Sequence, residues 1–185
     1  MTPAQRSRSP AWKHGLRLAP LLALFCPAAT FAGDFDPASV DLAALIECRA
    51  DAPGYNGFAL WLAGEPGATG TLGWKEIPSE NPFLRQYRLP VPLHVFGLET
   101  TAIVFPATGP MAVLDGVAAP ELARKLAIPA TISTPDKFLG ERVVIDETEV
   151  ADGVTFATRI ALNVSTVDSH PGKVLAGCSY AIDVK

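Results

Sequence analysis

The chain has 185 residues, 15 Lys and Arg against 19 Asp and Glu for a net charge of −4, and three cysteines. An acidic balance disfavours nucleic acid and anionic lipid as partners, and the length suits one domain with one sizeable core. There is no Gly-x-Ser-x-Gly, no His-Glu-x-x-His and no glycine-rich phosphate loop, so neither a catalytic signature nor a cofactor-binding motif can be read from it.

Residues 1–32 read as a secretory signal peptide. Arg6, Arg8, Lys13 and Arg17 form a basic start, Leu18 to Phe25 an apolar run, and Ala28-Ala-Thr-Phe-Ala32 a small-residue exit before Gly33. The apolar run is too short and too interrupted by Pro20 and Pro27 for a retained membrane anchor. Lipid attachment at Cys26 is disfavoured by the bulky Phe25 before it. Cleavage near Ala32 leaves a single domain of 153 residues, 33–185, with a net charge of −8, because the leader takes four basic residues and no acidic one. The expected address is periplasmic or secreted. In that oxidising compartment the two remaining cysteines, Cys48 and Cys178, are expected to form a disulfide.

Along the mature chain, Asp36-Pro37 opens a helix that runs to Ala50, with Val40, Ala44, Leu45 and Cys48 on one face. Phe58–Leu62 and Thr71–Trp74 read as short strands on either side of the turn Gly64-Glu-Pro-Gly67. Phe83–Leu89 alternates and is followed by Pro90-Val-Pro92, which argues for a sheet edge or a break. Strands follow at Leu93–Phe96, Thr101–Phe105 and Met111–Leu114. A second helix spans Ala118–Ala127, with Pro120 and Glu121 in its first turn and Arg124 and Lys125 near its end. Arg142–Ile145 opens a strand ending in an acidic run, and Val154–Val167 and Lys173–Val184 form a hairpin about Asp168-Ser-His-Pro-Gly172. The fold class is therefore α+β: an antiparallel sheet of roughly seven to nine short strands carrying two helices. Thr101-Ala-Ile-Val-Phe with Val113-Leu-Asp-Gly resembles Thr158-Arg-Ile-Ala-Leu with Val174-Leu-Ala-Gly. That repeat is consistent with a duplicated helix-plus-hairpin unit.

Candidate functional residues fall into three groups. The acidic run Asp146, Glu147, Glu149 and Asp152 suits a cationic partner; it lacks the spacing of a dedicated calcium loop, and no other metal set is evident. Tyr55, Trp61 and Trp74, with Phe83 and Tyr87, are either core packing or a ring-lined face for a sugar or peptide. Asp168 and His170 share a turn, where they either organise the backbone or contact a partner; His94 lies near Glu99. These features favour a non-enzymatic interaction module, an adaptor or inhibitor that binds a cationic protein or envelope component. The rivals are a small hydrolase using His94 or His170 with a carboxylate, and a purely structural envelope component.

Overall fold

The computed structural model describes residues 35–185. The signal-peptide segment 1–32, Cys26 and the cleavage site after Ala32 lie outside the described residues.

One eight-stranded antiparallel sheet organises the molecule, with strands in the order β1-β2-β3-β4-β8-β7-β6-β5. These are β1 (Lys75–Ile77), β2 (Arg85–Val95), β3 (Leu98–Phe105), β4 (Met111–Leu114), β5 (Ala130–Ser133), β6 (Phe138–Ala151), β7 (Val154–Ser165) and β8 (Val174–Val184). The order amounts to two successive four-strand meanders, each preceded by helix and joined where β4 pairs with β8. The similar segments noted in the sequence are β3–β4 and β7–β8, which occupy equivalent places in the two meanders.

The first expected helix is broken in two. Asp36 caps a 3-10 turn at Pro37–Ser39, the chain straightens at Val40, and Asp41 caps α1 (Leu42–Ile46) by accepting from Ala44 N at 2.9 Å. Two carboxylates five residues apart each satisfy a separate helix start, and so split what reads as one helix.

Of the stretches expected as strands, Phe58–Leu62 is helical instead, and Thr71–Trp74 is the end of a short helix and the turn after it. Asp51 accepts from Gly54 N at 2.8 Å and starts α2 (Ala52–Gly64), with Pro53 in its first turn. Tyr55, Phe58 and Leu62 then fall on one buried face. Five consecutive apolar residues fit either period, and the cap upstream decides between them. α3 (Ala68–Thr71) follows a left-handed Gly67, and Gly73 turns the chain into β1. The segments expected as separate strands at Phe83–Leu89 and Leu93–Phe96 contribute their parts from Arg85 to Val95 to one strand, β2, with a register shift between Arg88 and Leu93 where the two prolines sit. The second expected helix appears as α4 (Ala119–Lys125), with Glu121 and Arg124/Lys125 at its two ends.

All four helices pack on one face of the sheet. Leu45, Ile46, Phe58, Leu62 and Leu122 meet Tyr87, Ile103, Leu114, Ile160, Leu162, Val164, Ala176 and Cys178 in the main core. Among the described residues the opposite face carries no helix and a small cluster of Val104, Val113 and Leu175. Two tight hairpins set the registers: Phe96-Gly97 joins β2 to β3 and Asp152-Gly153 joins β6 to β7, all four residues at positive φ. That conformation is the type I′ geometry that matches strand twist. Phe96 is held in it by Glu47, which accepts from Phe96 N at 2.7 Å, and by Lys125, which donates to Phe96 O at 2.7 Å.

Candidate functional site

Cys48 and Cys178 are bonded, with their Cα atoms 5.2 Å apart. Cys48 lies just past α1 in a left-handed conformation, and Cys178 lies in β8. The bridge therefore ties the start of the domain to its last strand. Next to it, the Tyr180 hydroxyl donates to Leu45 O at 2.8 Å in the core. Burial, with Tyr55 and Asp51 adding to it, raises the Tyr180 phenol well above its ordinary pKa and keeps it a donor.

The aromatic residues proposed as a binding face are packing residues. Tyr55 is only 7% exposed and stacks on Tyr180 at 4.4 Å. Trp61 and Trp74 are half-buried and packed against the core, Trp61 beside Phe35 and Phe58, Trp74 beside Tyr87 and Phe105. Trp61 follows Phe58 by one helical turn, which brings its ring to the same side. Phe83 differs from them: it is 83% exposed in the loop before β2.

His170 is buried in the turn between β7 and β8, while Asp168 is exposed. The His170 Nδ1 lies 3.0 Å from Ser169 Oγ, and Nε2 has no hydrogen-bond partner among the described residues. Ser169 and His170 wall a cleft of about 520 Å³ on the helix-free face, together with Arg88, Glu99, Asp115 and Lys173. Asp115 is engaged by Lys173, and Glu99 faces the exposed His94 at 3.4 Å. A hydroxyl and an imidazole thus touch, but no described carboxylate holds the far ring nitrogen as a hydrolytic triad requires. His170 is not brought together with His94.

Burial, and secondarily the Lys173 charge, lowers the His170 pKa from its ordinary value of 6.5. Between that lowered value and about 6.5 the unfolded chain holds more proton than the folded one, so stability is fully present above about pH 6.5 and is lost as pH falls toward the folded value. Urea midpoints measured from neutral to mildly acidic pH should fall more steeply for the wild type than for His170→Gln. Parallel profiles would show that His170 is not the group responsible.

The acidic run lies on β6 and its hairpin tip. Asp146, Glu147, Glu149 and Asp152 are all exposed, but they do not form one patch. Asp146 stands opposite Arg159 and shares that guanidinium with Glu141 on the helix-free face. Strand alternation puts Glu147 and Glu149 on the other face, opposite Thr158 and Phe156, with Ile182 and Val184 next across the sheet. Ile182 and Val184 are exposed, so this end of the sheet runs past the helices. Asp152 serves the turn. Among the described residues neither Glu147 nor Glu149 forms an ion pair.

β6 is also an open edge, which the sequence reading missed. β5 pairs only with Phe138–Gly140, so among the described residues nothing pairs with the outer side of β6 from Glu141 to Ala151. A bulge at Val144, between the Val143 and Ile145 pairings, is the one interruption. The other long edge, β2 beyond Arg88, holds Pro90 and Pro92 and so lacks two backbone donors.

Tyr87, named above among the aromatic candidates, lies in the core. Its ring is fully buried and its hydroxyl has no partner among the described residues, an arrangement that typically costs about 1–3 kcal/mol. Burial raises its pKa, so the hydroxyl keeps its proton. Among the described residues no three His, Cys, Asp or Glu side chains gather as a metal site needs, and no helix is long and apolar enough to cross a membrane. No protein-family model, no curated protein and no solved structure matches the chain.

Proposed function

We propose that the protein is an exported, non-enzymatic binding module of the periplasm or extracellular space, and that its open β6 edge pairs with an extended, basic segment of a partner protein. The observation that carries this reading is an eleven-residue strand edge, Glu141 to Ala151, without proline and bearing Asp146, Glu147 and Glu149. Alternate residues of such an edge direct N–H and C=O groups away from the sheet, and an incoming strand completes them. Lys or Arg at alternate positions of that strand would stand beside Glu147 and Glu149, where cross-strand opposite charges contribute roughly 0.2–1 kcal/mol each. The same carboxylates oppose self-pairing, because two copies meeting edge to edge bring like charges together. The 5.2 Å Cα separation of the bonded cysteines fits an oxidising compartment, and the basic, apolar and small-residue order of residues 1–32 supplies the route there.

A hydrolytic reading has the Ser169–His170 contact without an orienting acid and, apart from it, the exposed His94–Glu99 pair without a hydroxyl on the histidine among the described residues, and is the weaker of the two.

A Lys-Val repeat octapeptide is a suitable probe. It should bind the mature domain at low salt and weaken as salt rises, because screening shortens the reach of exposed charges. The double variant Glu147→Lys/Glu149→Lys should lose about tenfold in affinity with its fold intact. Salt-independent binding that ignores the charge reversal would remove the acidic edge from the account.

A further inference from the structure

α2 is 13 residues long and has no charged side chain, yet part of its surface faces solvent. Leu60 is 75% exposed, and Ala63, less than one turn further on, is exposed as well. A helix with an open outer face ordinarily carries charged residues there. Beside Ala63 a cleft of about 380 Å³ opens between α2 and the ends of β2 and β3, with Leu62 and Phe105 in its wall and the exposed Phe83 at its rim.

Among the described residues Arg85 is the one charged residue lining this cleft. The Arg85 Cζ is 5.6 Å from the centre of the Tyr87 ring, so the guanidinium rests over that ring. Among the described residues Arg85 forms one ion pair, with Glu76 at 3.5 Å, an exposed pair of the kind that contributes little. An apolar hollow of this volume with one charged donor in its wall resembles the usual build of a small-molecule site.

We propose that this cleft binds a small hydrophobic carboxylate, its hydrocarbon body lying against Leu62, Phe83 and Phe105 and its carboxylate accepting from Arg85. The positive group selects the anion, and the uncharged wall of α2 accepts the chain. Glu76 competes with the ligand for Arg85. The site is separate from the β6 edge: β3, β4, β8 and β7 lie between the two strands concerned.

Calorimetric titration of the mature domain with decanoate, kept below its micelle concentration, tests this. Saturable binding is expected; Arg85→Gln should weaken it about tenfold, Glu76→Gln should strengthen it, and Ala63→Trp should abolish it by filling the mouth. Ala63 and Arg85 are exposed, so these variants should keep the wild-type circular dichroism spectrum. Absence of saturable binding, or binding that either Arg85→Gln or Ala63→Trp leaves unchanged, overturns the proposal.

Discussion

Replacing Cys48 and Cys178 together with alanine should destabilise the domain by about 5 kcal/mol, the largest effect expected of any change described here. The bond closes a loop with a sequence separation of 130, and in the chain-entropy account a loop of that length costs the unfolded state about that much freedom. A domain of this size is typically stable by only about 5–15 kcal/mol, so the variant should lie close to its unfolding threshold. Adding a reductant to the wild type should have the same effect in solution. Chemical denaturation of oxidised wild type, reduced wild type and the double variant checks this, with the last two unfolding at similar, much lower denaturant. A double variant as stable as the oxidised protein would mean that the helices hold to the sheet without the tether.

Phe58→Ala should cost about 3–5 kcal/mol, whereas Leu60→Ala, two residues on, should change stability by no more than about 0.5 kcal/mol. Phe58 is fully buried, with the rings of Phe35, Trp61, Trp74 and Phe105 all between 6.0 and 6.3 Å away. Leu60 faces solvent. In a strand, residues 58 and 60 share a face; in a helix they diverge by about 200°. The contrast between the two substitutions therefore tests the helix itself, and similar losses at both positions would contradict it.

That stretch shows where the sequence was legible and where it was not. α4 could be read because Pro120, Glu121, Arg124 and Lys125 mark both of its ends. The β7–β8 hairpin could be read because Ile160, Leu162 and Val164 alternate over a full strand. α2 could not, because Phe58-Ala-Leu-Trp-Leu62 lacks a polar residue to reveal its period, and the informative residue was the cap at Asp51. Asp152-Gly153 carried a strong hairpin signal, but Asp152 was read as part of a charge run. Its neighbour carboxylates then looked like one patch, although β6 divides them between two faces.

The open edge was beyond composition and periodicity altogether. It exists because β5 is four residues long and β6 is fourteen, a mismatch visible only once the strands are paired. The Tyr87 hydroxyl is similar, since only tertiary packing decides whether a buried phenol finds an acceptor. By contrast, pairing Cys48 with Cys178 required nothing more than counting the cysteines left beyond the leader.

Amide hydrogen exchange, followed by NMR in the presence of the Lys-Val peptide, tests strand addition at β6 most directly. The peptide should slow exchange at alternate residues between Glu141 and Ala151 and leave Leu89–Val95, the proline-bearing edge of β2, unchanged. Binding without new protection along β6, or with protection concentrated elsewhere, would contradict the account.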